Sequence, residues 1–447
     1  MMHGMFSLSG AEISHFLMAM GCLLAMAHLL GYLAERIFIP RVIGEVAAGL
    51  VLGPTLLGHF FPDAFKWLFL GFAGEDKLFG LLYQFGLLLL MFCSGLKFQT
   101  KFSKEDAKIT SALVIGATIP AFIVGWLAAG WFNITPYLGT ANNTLAFKIV
   151  IAISIAITSI PVISKIFNDL GIMHTRFAKI VIACAGIHDV LLWVALGFAT
   201  AIASEGGVFT LGTAVKSISI STAFILGTLF LGYLLFKRMT IIKQNLLFRS
   251  SNLGYFLFIM FMLASLAGNL HVEAIFGALL AGIVAKVALP KVVSERLEQG
   301  VSNISFSWFI PIYFATVGLQ LDLVRHFNPL FFLGYLLFAT LTQTLAVYIT
   351  SRTLKQDPFT SLNLGLAIND RGGPGIVLSS VAYSTGIINQ EFFAILVMLA
   401  LVTSWIPGTW LRIVVSKGWR LMPGDEKVVP RRRSDDDTFK EINYPVK

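Results

Sequence analysis

Apolar runs of about twenty residues, each closed by a short polar stretch, repeat along the chain, and a run of that length fits one helical crossing of a bilayer. Thirteen spans are expected, at about residues 13–35, 41–60, 78–96, 107–132, 145–168, 177–204, 212–237, 252–270, 272–289, 301–320, 328–351, 360–387 and 391–414. The second, ninth and tenth are Gly-rich or interrupted. Residues 63–74, with Phe65, Trp67, Leu68 and Phe72, read as a helix lying along the interface. The expected class is an all-α membrane protein, with one integral domain over 1–416 and a short polar tail over 417–447. The first run is too long for a signal-peptide core and has no basic segment before it, so it reads as a retained transmembrane helix.

Loop charges test the count independently. Loops after odd-numbered spans carry Arg36 and Arg41; Lys97, Lys101, Lys104 and Lys108; Arg176 and Lys179; Lys237, Arg238, Lys243 and Arg249; Lys291 and Arg296; Arg352 and Lys355. Loops after even-numbered spans carry only Lys66, Lys77, Lys148, Lys216 and Arg325. This bias places the odd-side loops and the C-terminus in the cytoplasm and the N-terminus outside, as in a bacterial inner-membrane protein. An even number of spans would spoil the agreement.

Composition agrees: 56% of the 447 residues are hydrophobic and 13% charged, and the mean hydropathy is +0.80, more apolar surface than a soluble fold hides. The net charge of +9 does not point to nucleic acid, because the basic residues sit in short loops where they set topology. Cys22, Cys93 and Cys184 all fall inside apolar runs and read as small core residues. Neither a nucleophile elbow nor metal-ligand spacing is visible, so no hydrolytic or redox enzyme and no cofactor is expected.

One stretch stands out from this pattern. His188 and Asp189 are an ionisable pair in the middle of the sixth span, where the only other charge is Lys179 near its start. At about 1.5 Å per residue Asp189 lies roughly 18 Å along a helix starting near Phe177, close to the middle of a hydrocarbon core about 30 Å thick. A carboxylate at that depth persists mainly where it handles an ion or proton; the other reading is a protonated acid that ties helices together.

Two spans carry helix breakers at a similar depth. The fifth has Thr158, Ser159 and Pro161; the twelfth has Asn369-Asp370-Arg371-Gly372-Gly373-Pro374-Gly375. Pro removes a donor and clustered Gly lowers the cost of leaving the helix, and backbone opened at that depth must be buried in protein or line a cavity. The two spans are seven apart, a separation that permits an inverted pair of the kind that builds ion sites in secondary transporters.

Here the residues resemble a known family, the monovalent cation/proton antiporters. Pro40-Arg41-Val42-Ile43-Gly44-Glu45-Val46-Ala47-Ala48-Gly49 with Leu52-Gly53-Pro54 is similar to the family's second-helix motif. Phe85-Gly86 to Met91-Phe92 with Ser94-Gly95-Leu96 resembles the third, Phe314-Ala315-Thr316-Val317-Gly318-Leu319 a later one, and Asn369-Asp370-Arg371-Gly372 a variant of the Arg-Gly signature. The resemblance implies about 13 transmembrane helices with inverted repeats, two crossed discontinuous helices (the fifth and twelfth), a homodimer, and Asp189 as the carboxylate that binds cation and proton alternately.

The chain departs from the family at the central pair, which is commonly Asp-Asp or Asn-Asp and here is His188-Asp189. Asp-Asp members are often electrogenic and carry a Lys in the eleventh helix; counting back from Arg352 puts Gln343 in its place. One carboxylate without that Lys implies one proton exchanged for one Na⁺ or K⁺ with no net charge moved. His188 reads either as a second proton carrier or pH gate, or as a neutral stand-in for Asn, and the sequence favours the second.

A lone acid suits exchange because it coordinates a cation when ionised and releases it when protonated. Burial raises its pKa towards physiological pH. Oxygens at Thr158 and Ser159 complete the expected shell, since hard ions prefer oxygen. Arg371 is expected to oppose helix-end partial charges or to pair with an acid such as Asp370 or Glu45; Gln343 and Glu45 support the site. Two alternatives stay open: a channel-like K⁺ efflux protein, and a transport-inactive ion or pH sensor on the same fold.

Overall fold

In the computed structural model each of the thirteen apolar runs becomes a helix or a pair of helices. The described residues are 8–37, 39–97, 104–131, 133–204, 211–237, 245–270 and 272–425. In chain order the helices are α1 (Gly10–Arg36), α2 (Arg41–Leu52), α3 (Leu57–Phe60), α4 (Pro62–Phe69), α5 (Glu75–Leu96), α6 (Lys104–Ala128), α7 (Thr144–Ala156), α8 (Ile160–Asp169), α9 (Arg176–Ser204) and α10 (Leu211–Lys237). There follow α11 (Leu246–Ser250), α12 (Asn252–Asn269), α13 (Ala274–Ala288), α14 (Lys291–Ile304), α15 (Ile310–Leu319), α16 (Pro329–Thr353), α17 (Pro358–Ile368), α18 (Gly372–Ser384) and α19 (Gln390–Ser416). A π-helical turn, Ser305–Phe309, joins α14 to α15. By length and composition, eight segments among the described residues are each able to cross a bilayer.

Polar residues at the loop ends fix the first turns. Ser9 and Glu12 form a reciprocal capping box on α1, and Asn143, Asn328 and Asn389 accept from first-turn N–H groups of α7, α16 and α19. The second run is divided: α2 stops at Leu52 because Gly53 turns extended and Pro54 follows, and α3 completes it. The helix expected along the interface is α4, with Trp67 exposed and Leu68 and Phe69 buried.

The helices sort into two packed groups. One contains α1, α2, α5 and α12–α15; the other contains α6–α9 and α16–α19; α10 packs on α9 and on α13 and so touches both. Small residues let the first group close backbone to backbone. A Cβ on Gly49 of α2 would lie 1.9 Å from the Ala315 carbonyl oxygen and 2.7 Å from Gly318 Cα, and one on Gly282 of α13 would lie 2.3 Å from the Phe92 oxygen and 2.9 Å from Gly95 Cα. These crossings, α2 on α15 and α13 on α5, are the same contact made twice, because spans two and nine, and three and ten, correspond with an offset of seven. The odd offset reverses direction, so the repeats are inverted, as expected. Gly44 and Gly277 repeat the pattern one helix outward: a Cβ on either would lie 2.2 Å from a carbonyl oxygen, that of Leu30 in span one or of Leu263 in span eight.

Two placements differ from expectation. Cys93 and Cys184 are buried, but Cys22 is exposed on α1, because that helix buries only a narrow stripe of Ala19, Leu23, Ala27, Gly31 and Ala34. Residues 417–425 pack on the helices: Leu421 and Met422 are buried, and the Asp425 carboxylate accepts from the backbone N–H groups of Arg176 and Phe177 at the start of α9. Lys101, Arg238, Lys243 and the rest of the tail lie outside the described residues.

Candidate functional site

Both breaker segments leave the helix. In the fifth span Ile157 and Ser159 are extended (φ −74°, ψ 146° and φ −104°, ψ 116°), and α8 restarts with Pro161 in its first turn, where a missing N–H costs nothing. In the twelfth span Asn369, Asp370 and Arg371 separate α17 from α18. The two openings meet: the Ser159 N–H donates to the Asp370 carbonyl oxygen at 2.6 Å. Gly372 is required there, because its φ is +33° and a Cβ would lie 2.6 Å from Ser159 Oγ.

Four helix ends converge at this crossing, and each needs a partner of the right sign. The carbonyl ends of α7 and α17 are met by donors. Arg371, fully buried, donates from Nε to the Ser154 oxygen at 2.6 Å, from Nη2 to the Ile155 and Ala339 oxygens at 3.1 and 3.0 Å, and from Nη1 to Asn369 Oδ1 at 2.8 Å. Gln343 Nε2 lies within 3.2–3.3 Å of the Ala156, Ile157 and Ile368 oxygens. Thus Arg371 takes up helix-end partial charge and forms no ion pair with Asp370 or Glu45 among the described contacts.

The N–H ends of α8 and α18 are met by acceptors. Ser159 Oγ accepts from the Val162 N–H at 3.4 Å. Ser404, from α19, accepts from the Gly372 N–H at 3.0 Å and donates to Asp370 Oδ1 at 2.7 Å. Asp370 therefore stands one hydroxyl away from the start of α18, the pole that favours its ionised form, while Arg371 stands at carbonyl ends that favour a cation.

Helix α9 packs on all four half-helices α7, α8, α17 and α18 and brings His188 to the crossing, 1% exposed. Thr158 Oγ1 donates to the Ile368 oxygen at 2.7 Å and lies 3.0 Å from His188 Nδ1 and 3.4 Å from Gln343 Nε2. Asp189 is the next residue of α9; its side chain lies outside the described residues. Four buried side-chain atoms here have no partner among the described residues: His188 Nε2, Gln343 Oε1, Asn369 Nδ2 and Asp370 Oδ2. Leaving such atoms unpaired costs about 1–3 kcal/mol each, so a polar guest fits the crossing better than a dry core does.

The structure thus brings together His188, Thr158, Ser159, Gln343 and Arg371. Glu45 stands apart on α2, where its carboxylate accepts from Arg41 Nε at 2.9 Å; Arg41 also bonds His28, which reaches the Ser307 oxygen at 2.9 Å. Sequence reasoning missed Ser404, a hydroxyl in an apolar helix whose only signal was its mid-span position, and it treated Asp370 merely as a partner for Arg371. It also missed Tyr335, whose hydroxyl lies 2.6 Å from Ser154 Oγ beside the Arg371 contacts.

The family model described as sodium/hydrogen exchanger, transmembrane, matches residues 23–417. This chain belongs to the sodium/hydrogen exchanger family. Relatives of this exchanger include the Na(+)/H(+) antiporter NhaS4 of Synechocystis, 27% identical over 86% of this chain and 93% of that protein. Another is the Na(+)/H(+)-K(+) antiporter GerN of Bacillus cereus, 23% identical over 89% and 95%. The K(+)/H(+) antiporter 1 of Saccharomyces cerevisiae is 31% identical over 92% of this chain, but the chain spans only 48% of that protein's length. The exchanger fold also matches the sodium proton antiporter MjNhaP1 of Methanocaldococcus jannaschii, with a TM-score of 0.60 over 90% of this chain and 98% of that one at 16% identity.

Proposed function

We propose that this chain exchanges protons for Na⁺ or K⁺ across a membrane, one for one, with Asp189 holding cation and proton in turn. The observation that carries the reading is the buried crossing of two opened helices, lined with unpaired polar atoms, beside residues 188 and 189. Arg371 and Asp370 offset each other at opposite helix poles, so Asp189 is the acid whose charge is left for the cation. Ionised, it holds the ion together with oxygens around Thr158 and Ser159; protonated, it loses the charge that held it. Gln343 is neutral, so α16 does not supply from that position the charge that an electrogenic cycle with two acids would use. The names of the relatives favour exchange over a K⁺ channel or an ion sensor.

The same reading takes the N-terminus as outside and the C-terminus as cytoplasmic, and places the chain in a plasma membrane as a homodimer. It has an integral domain followed by a polar tail, requires neither a cofactor nor nucleic acid, and is not an enzyme. The test is acridine-dye dequenching in everted vesicles, adding Na⁺, K⁺ and Li⁺ separately with and without an imposed membrane potential. Dequenching with at least one ion at a rate indifferent to the potential is expected; a clear dependence on potential contradicts one-for-one exchange.

A further inference from the structure

The hydrogen bonds around Thr158 decide which atoms of the site remain available to a ligand. A threonine hydroxyl has one hydrogen and two acceptor lone pairs. Its shortest contact is with the Ile368 oxygen at 2.7 Å, a carbonyl that only accepts, so the hydrogen goes there. Towards His188 Nδ1 at 3.0 Å the hydroxyl can then only accept, and its remaining lone pair faces Gln343 Nε2 at 3.4 Å.

The same bonds orient its two partners. An Nδ1 that donates to Thr158 carries the imidazole hydrogen, so in the neutral ring Nε2 has a bare lone pair. Gln343 turns its Nε2, with two hydrogens to share, towards Thr158 and three carbonyls, which leaves its amide oxygen free. His188 Nε2 and Gln343 Oε1 are buried without partners among the described residues, on residues that are 1% exposed. The unused acceptors on the two side chains that meet Thr158 are thus one nitrogen and one oxygen.

We propose that His188 Nε2 and Gln343 Oε1 are cation ligands of this chain, making a mixed nitrogen–oxygen site that favours a polarisable monovalent ion over a hard one of equal size. This deepens and rests on the antiport reading above. An all-oxygen shell discriminates by size and charge, whereas an imidazole nitrogen adds preference for softer ions. Tl⁺ and K⁺ have nearly equal radii and differ in softness, so the pair isolates the nitrogen's part. His188 is then a specificity-determining ligand, and the neutral ring presents only a lone pair to the ion.

The test uses full-length protein in proteoliposomes, measuring collapse of an imposed pH gradient by Tl⁺ or K⁺ as nitrate salts. In the wild type the KM for Tl⁺ lies below that for K⁺ by about fivefold, the worth of one contact of hydrogen-bond strength. In His188→Gln, which puts an amide group near the position of the ring nitrogen, the ratio falls towards one. Equal KM values for both ions in the wild type, or an undiminished ratio in the variant, overturn the proposal. If the variant does not insert, the wild-type ratio alone decides. If wild-type protein exchanges neither ion, Na⁺ is added in the same assay: exchange with Na⁺ keeps the antiport reading and its absence ends it, and in both cases the ligand assignment is judged by whether Tl⁺ protects the purified protein from thermal unfolding at lower concentration than K⁺.

Discussion

At the scale of single residues, the crossing is a set of matched signs. A main-chain carbonyl at the end of a half-helix in an apolar core has no water to turn to, and Arg371 supplies a planar fork of donors that reaches two such oxygens at the end of α7, those of Ser154 and Ile155, and the Ala339 oxygen inside α16. Lys offers one point charge in place of that fork. Arg371→Lys therefore leaves at least one carbonyl unpaired, and the expected loss is about 1–3 kcal/mol, read as a lower unfolding midpoint of the purified protein. An unchanged midpoint would remove Arg371 from this role. Arg371, Gln343, Thr158 and Ser159 were legible in the sequence as polar residues at apolar depth, and His188 as an ionisable one. Their partners were not, because most are backbone oxygens, which look alike at every position of a sequence. Ser404 was hidden for the complementary reason: a hydroxyl in an apolar helix commonly bonds its own backbone, and the Ala400 oxygen, 2.8 Å from Ser404 Oγ, competes with Asp370 for its one hydrogen.

At the scale of elements, both openings could be read from Pro161 and from Gly372 to Gly375, since these residues make helix continuation costly in different ways. What could not be read was that the two openings touch, because the Ser159 to Asp370 bond joins backbone atoms 211 positions apart. A half-helix lacks the length to be stable alone and depends on its caps. Asp357 caps α17, accepting from the N–H groups of Phe359 and Thr360 at 3.0 Å each and from the Thr360 hydroxyl at 2.5 Å. Burial pulls its carboxyl upward, but the bonds from the Thr360 side chain and from the Thr360 and Phe359 backbones outweigh burial and hold it below its ordinary value. A depressed pKa means that the stabilisation is present above the unfolded value, about 4, and is lost as pH falls through the folded one. Asp357→Ala should cost about 1 kcal/mol at neutral pH, with the gap in unfolding midpoint closing as the buffer is acidified below that range. A gap that persists in acid would mean that the cap does not act through its charge.

At the scale of the whole molecule, two groups of helices are joined by α10 and meet elsewhere, including an ion pair between Lys165 on α8 and Glu35 on α1. Gly49 with Gly318 and Gly95 with Gly282 lock the first group backbone to backbone, whereas the second is held at its centre by side-chain bonds to opened backbone. If exchange moves the second group against the first, the Lys165–Glu35 pair is one contact that such motion breaks. Thirteen spans could be counted from hydropathy and loop charge, yet the grouping could not, because which helices pack together depends on small residues whose matching partners lie in the other half of the chain. In the function proposed above, all of this serves one acid that accepts a cation or a proton and not both. The most direct measurement is exchange by Asp189→Asn in everted vesicles, with its membrane level checked against wild type by immunoblot. Loss of dequenching with Na⁺, K⁺ and Li⁺ at wild-type protein level is the expected result. Exchange at the wild-type rate would show that another group carries the ion and the proton.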